Sequence, residues 1–398
     1  MQKVLVFHRR SGYRGRAVGV NRMDWHYNRL MRPGITLAMI VKNEENKLPR
    51  CLSSIQGYVE DIVVVDTGST DRTLEVAREF GARTFEFEWP GAFDVARNES
   101  IRHVETEWIL QLDADEWLAE DSGPKIRKAI QREDAFCFGI LLREEGPDPV
   151  ESSMIRIWRS EPRVPFIGTI HEHLDLPVLE AAHETRKEFT TDIVVYHDGY
   201  APELRRSKHE RSIDLIKKEL AIRPGQPYYE VKLACSLAAA GHPDARQELL
   251  RIGDRLLEME DDPEVHVAYA SVFGPLFAAI PDEELRSAGA DKLIRLARGW
   301  FPDSPVVLWH VAQAEVRRGN LPSALYALLD LEKMAQTGSF DKRTPYHTGI
   351  LGIGLWTNLA LVAQQMGRRD VALRNYQKVL EADPANETAR KNMALLHP

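Results

Sequence analysis

The segment WILQLDADEWL, residues 108–118, ends an apolar run in three acids, Asp113, Asp115 and Glu116. Trp108, Ile109, Leu110 and Leu112 read as a short strand covered on both faces, because such a strand needs a continuous apolar run bounded by polar residues. An isolated ionised carboxylate loses much of its hydration energy inside a protein, so these acids belong in a polar crevice, at a loop or on a cation. Period-two alternation turns Asp113 and Asp115 to one side, about 7 Å apart along the strand and able to share one ion. Oxygen ligands with room left for phosphate oxygens suit a hard divalent cation. The plainer reading is that Asp-Ala-Asp opens the next helix as an N-cap.

Short apolar runs alternate with amphipathic segments from Ile35 onward. ITLAMIV (35–41), DIVVVD (61–66), RTFEFEW (83–89) and WILQLD (108–113) read as strands, with helices expected over 46–55, 71–80 and 94–103. Gly81 supplies the stop of the second helix. This alternation predicts an α/β domain with a Rossmann-like, mostly parallel sheet. Ligands bind at the carboxyl ends of such strands, and the polar residues gather there: Lys42 to Glu45, Asp66 to Asp71, and Asp113 to Asp115.

The chain has 398 residues, 43% hydrophobic and 28% charged, enough for two or three soluble domains with real cores. A formal net charge of -8 argues against a polyanion binder overall. Three well-separated cysteines, Cys51, Cys137 and Cys235, suggest neither a disulfide framework nor a CxxC metal site, which fits a reducing cytoplasm. No signal peptide and no membrane span is expected. Residues 1–34 form a basic N-terminal extension, suited to an acidic partner or simply solvated.

AMIVKNEEN, VVVDTGSTDRT, FEWPGAFDVARNES and WILQLDADEWL, in this order and spacing, resemble the family 2 glycosyltransferases with a GT-A fold. FIGTIHEHL (166–174) and VVYHDGY (194–200) are similar to motifs of the branch that includes the sublancin-type peptide S-glycosyltransferases. The resemblance runs from about Ile35 to about Pro224 and implies a nucleotide-sugar donor. It implies further that Glu44 and Asp66 hold base and ribose, and that Asp113 and Asp115 bind Mg2+ or Mn2+ bridging the donor diphosphate. Arg97 and Asn98, by the same likeness, sit near the diphosphate or the acidic turn, and an arginine there suits a bidentate phosphate or carboxylate contact. An inverting transfer needs a base on the acceptor, and Glu172 is the first candidate with His171 next. His197 is the candidate extra metal or diphosphate ligand. Glu116 is left to an outer-shell water, a sugar hydroxyl or the next helix's N-terminus.

Beyond residue 202 the pattern is helical. Trp356, Leu359, Ala360, Ala363, Gly367, Ala372, Tyr376, Val379 and Pro384 fall on the spacing of a tetratricopeptide repeat, with a weaker copy over Leu308 to Leu331. An all-α tetratricopeptide-like domain is therefore expected over 225–398, following a GT-A domain over 35–224. The repeats suit acceptor binding or a homodimer.

The expected activity is an inverting, metal-dependent transfer of a hexose, with UDP-glucose as leading donor, to a peptide or protein side chain. Saccharide, lipid-linked and modified nucleic acid acceptors are the alternatives. A non-catalytic repeat scaffold with a vestigial sugar-nucleotide domain has no chemical need to keep all these motifs. A nucleotidyltransferase would want a glycine-rich basic loop after the first strand, where AMIVKNEEN is acidic and lacks glycine.

Overall fold

The computed structural model describes residues 31–146, 148–176, 187–198, 202–259 and 267–396. Most of the basic extension, and the end of the YHDGY motif, lie outside the described residues. The chain forms two compact units, Met1–Glu145 with Ser153–Gly199, and Gly146–Ser152 with Tyr200–Pro398. The helix Pro202–Ile222 falls in the second unit, ahead of the boundary expected at residue 224.

The first unit opens with β1 (Arg32–Val41), α1 (Leu48–Ile55), β2 (Asp61–Asp66), α2 (Thr73–Glu79), β3 (Arg83–Glu86), α3 (Phe93–Arg102) and β4 (Thr106–Gln111). β1 pairs in parallel with both β2 and β4, and β2 in parallel with β3. Then follow β5 (Glu116–Leu118), α4 (Ser122–Ala129), β6 (Ala135–Glu144), β7 (Val150–Arg159), the short β8 (Phe166–Ile167) and β9 (His173–Leu174), and β10 (Lys187–His197). The main sheet runs in the order β3, β2, β1, β4, β7, β6, β10, β5. β7 is antiparallel to β4, and β5 is antiparallel to β10, so the second half of the sheet is mixed. Ile35, Leu37, Met39, Val64 and Leu110 are fully buried in a core closed by α1 residues Leu48, Leu52 and Ile55. Such central strands carry near-continuous apolar runs because both faces are covered.

The second unit is helical: α5 (Pro202–Ile222), α6 (Pro227–Ala240), α7 (Ala245–Glu258), α8 (Phe273–Ala279), α9 (Ala288–Trp300), α10 (Pro305–Arg317), α11 (Leu321–Thr337), α12 (Ile353–Gln365), α13 (Arg369–Ala382) and α14 (Glu387–Leu396). The repeat positions read from the sequence form the α12/α13 contact: Ala360, Ala363, Ala372, Tyr376 and Val379 are fully buried in one cluster. Small residues there let two helices approach closely. A Cβ on Gly274 of α8 would lie 2.5 Å from His310 Nε2, so a larger residue there would displace the His310 ring. Between α11 and α12 a two-residue strand, β11 (Tyr346–His347), pairs with Val150 and Glu151, and Tyr346 OH donates to Glu151 at 2.5 Å. No helix among the described residues is long and apolar enough to cross a membrane.

Candidate active site

The loops after β1 and β2 are bonded to each other. Asn43, left-handed at φ 57°, donates its amide N–H to Ser69 Oγ at 2.9 Å, and its side-chain oxygen accepts from Thr70 N–H at 2.8 Å. Asparagine is among the few non-glycine types that tolerate this backbone region. Glu44 N–H donates to Thr73 Oγ1 at 2.8 Å. Asp66, buried at the end of β2, accepts from Gly68 N–H at 3.2 Å, from Ser69 N–H at 2.9 Å and from the Ser69 hydroxyl. Its carboxylate closes a turn that Gly68, at φ 103°, makes possible. Glu44 is half-buried, and its carboxyl is raised above its ordinary value by burial and by the charge of Asp115.

Between β4 and β5 the chain does not continue as a strand. Glu116 N–H donates to the Asp113 carbonyl at 3.0 Å and Asp113 N–H to Glu116 Oε2 at 2.9 Å, reciprocal bonds that fold 113–116 into a turn. The expected period-two alternation of Asp113 and Asp115 is thereby corrected. The tripeptide caps no helix either, because β5 follows it. Glu116 is neither at a helix N-terminus nor exposed to a ligand: it is 2% exposed and accepts from Arg156 Nη2 at 2.6 Å. Burial drives its carboxyl above the usual range, against the opposing charge of Arg156.

The two aspartates have different partners. Asp113 forms an ion pair with Arg97 through Oδ1, and its Oδ2 lies 3.6 Å from Arg156. Burial alone would raise its carboxyl, but the two guanidinium groups hold it well below the usual carboxylate range. Asp115 Oδ2 lies 3.2 Å from His197 Nε2 and 3.8 Å from Lys47 Nζ. There too burial is outweighed, chiefly by the His197 contact, and the pKa is lowered. Lys47 also lies 3.4 Å from Asp198, next to His197. Among the described residues no group of three or more His, Cys, Asp and Glu side chains is gathered for a metal ion.

α3 connects this turn to the FIGTIHEHL loop. Arg97, 4% exposed, donates through Nε to Glu172 Oε1 at 3.2 Å while pairing with Asp113. Its neighbour Asn98 was expected beside the diphosphate or the acidic turn. The structure instead has its amide nitrogen donating to Phe166 O at 2.9 Å and its oxygen accepting from Phe166 N–H at 2.8 Å, so both polar atoms hold β8 in place. Asp94 accepts from Gly168 N–H at 3.0 Å. His171 precedes Glu172 in this loop with φ 54°, and with Asn43 it is one of two non-glycine residues of positive φ among the described residues. Such backbone strain concentrates at functional sites.

Arg156 and Gln111 were not anticipated. With its amide turned to satisfy both neighbours, Gln111 accepts from Arg97 Nη2 at 3.1 Å and from Arg156 Nη1. The available signal was a charged residue amid the apolar neighbours of MIRIW, in a strand paired on both sides.

Residues 36–174 match the family model described as Glycosyl transferase family 2. A TPR repeat-containing protein of Synechococcus elongatus is 29% identical over 356 residues, which is 88% of this chain and 76% of that protein. The SPbeta prophage-derived glycosyltransferase SunS of Bacillus subtilis is 30% identical over 208 residues, 50% of this chain, and the match spans 48% of SunS. Among solved structures, S. aureus TarS 1-349 in complex with UDP-GlcNAc covers 78% of this chain and 93% of its own at 15% identity and a TM-score of 0.37. Residues 36–174 of the first unit carry a glycosyltransferase domain. More particularly, it is a family 2 glycosyltransferase domain, and a TPR-like helical unit follows it.

Proposed function

We propose that the protein is an inverting, metal-dependent glycosyltransferase that moves a hexose from a nucleotide sugar, UDP-glucose foremost, to a peptide or protein side chain. One observation carries the reading: Arg97, itself buried, ties Asp113 to Glu172, so that the donor-side acid and the candidate base share one guanidinium. The acceptor's S–H, O–H or N–H loses its proton to Glu172, with His171 as the second candidate. Its heteroatom then bonds to the anomeric carbon while the bond from that carbon to the diphosphate oxygen breaks, the electron pair leaving with the nucleoside diphosphate. Attack opposite the leaving group inverts the anomeric centre.

The carboxylate of Asp115 and the imidazole of His197, 3.2 Å apart, supply oxygen and nitrogen donors suited to Mg2+ or Mn2+. A metal ion held there would neutralise charge on the departing diphosphate. In this reading Asp113 joins Asp115 and His197 as a candidate metal ligand, Arg97 lies beside the sugar diphosphate, Glu44 and Asp66 take ribose and base, and the helical repeats bind the acceptor. Likeness to the sublancin-type branch supports a peptide acceptor.

The test is a panel of UDP-, GDP- and dTDP-sugars with Mn2+ or Mg2+, read as free nucleoside diphosphate, with Asp113→Ala as the blank. Metal-dependent release from one donor, absent in the variant, supports the reading and names the sugar. No release across the panel overturns it. Inversion is checked by the anomeric coupling constant of the product.

A further inference from the structure

We propose that Arg156 is a positioning residue of the donor site, which acts through Glu116 without touching substrate. The proposal rests on the reading of turn 113–116 as the donor-binding turn. Arg156 lies on β7, 5% exposed, and its guanidinium reaches three points of the β4–β5 connection. Nη2 donates to Glu116 Oε1 at 2.6 Å, Nη1 donates to Gln111, and Asp113 Oδ2 lies 3.6 Å away. The other Glu116 oxygen accepts Asp113 N–H at 2.9 Å. One buried carboxylate thus joins the arginine on one side to the turn's backbone on the other.

A planar fork of donors can hold the last residue of β4 and the first of β5 at a set separation, whereas an ammonium is a point charge. Removing the arginine takes from Glu116 Oε1 the partner that holds it, and leaves the buried side chain short of one hydrogen bond. Its other oxygen is then no longer fixed on the Asp113 amide, and the turn that aims both aspartates loosens.

The test uses the full chain with Arg156→Lys and Arg156→Met, and follows thermal unfolding, amide hydrogen exchange over 111–117 and donor kinetics. Arg156→Lys is expected to unfold within a few degrees of the natural protein while exchange at the amides of residues 113 and 116 accelerates. Its donor KM rises by about tenfold or more, as for other residues that orient a binding group, and kcat changes less. Glu116→Gln combined with Arg156→Met is no worse than the poorer single variant, because both act on one turn. Unchanged exchange at residues 113 and 116 in Arg156→Lys overturns the proposal, as does a loss of activity that only tracks the loss of folded protein. If the natural protein releases nucleoside diphosphate from no donor, the donor-site reading fails separately. The exchange measurement still decides whether Arg156 holds the turn.

Discussion

In the helical unit Glu315, 2% exposed, pairs with Arg318 three residues on, and Glu219 pairs with Arg223 four residues on. In the sheet unit Arg97 pairs with Asp113 and Glu172, 16 and 75 residues away, and Arg156 with Glu116, 40 residues away. A pair within one helical turn forms with the helix, because residues three or four apart share a face. A buried pair between distant segments must offset the desolvation of both ions, and it forms only once the sheet is assembled. The helical unit has long-range pairs as well, such as Arg318 with Asp291, 27 residues away, but those of Arg97 and Arg156 in the sheet unit converge on the turn that carries Asp113 and Asp115.

That contrast is broken most severely at Asp115. Asp115→Ala is expected to lower metal-dependent donor turnover by at least about a hundredfold while the protein stays folded, the scale seen when a group stabilising developing charge is removed. Release of nucleoside diphosphate checks it, and unchanged turnover would sink the assignment of the turn. Glu172→Gln is expected to lower transfer by about a hundredfold if Glu172 is the base, with donor binding retained in calorimetry. Full transfer in that variant moves the base to His171.

At His310 and Ser287 the helical unit should respond in stability. Burial lowers the His310 pKa from 6.5 to about 4. The folded-state value lies below the unfolded one, so on acidification the unfolded chain takes up a proton that the folded chain refuses. Stability is therefore lost as pH falls from 6.5 towards 4, by up to about 3 kcal/mol. Urea unfolding followed by circular dichroism should show this slope, and His310→Gln should flatten it. The smallest expected effect is at Ser287, whose side chain caps α9 by accepting from Ala290 N–H at 3.2 Å. Ser287→Ala should cost about 1 kcal/mol in the same measurement and leave turnover unchanged.

The strands and repeats were legible for a local reason. DIVVVD became β2 and ITLAMIV the body of β1, because a strand covered on both faces needs an unbroken apolar run. Ala360, Ala363, Ala372 and Tyr376 were recognisable because helix pairs repeat small residues at contact positions. The acids of the site were visible as types at strand ends, but their geometry was not. Asp113 and Asp115 occupy a turn because Glu116 and Asp113 bond each other reciprocally, a choice that strand periodicity does not encode.

By itself the sequence determined the order of elements, the acidic clusters at the carboxyl edge of the sheet and the helical character of the second unit. These follow from backbone periodicity and from the solvation of side chains a few residues apart. Only the tertiary structure decided that Asn98 holds Phe166, that Arg97 joins Asp113 to Glu172, and that Arg156 supports the turn through Glu116. Those pairings depend on which strands become neighbours, and a guanidinium selects its carboxylates only after burial has removed water as the competing partner.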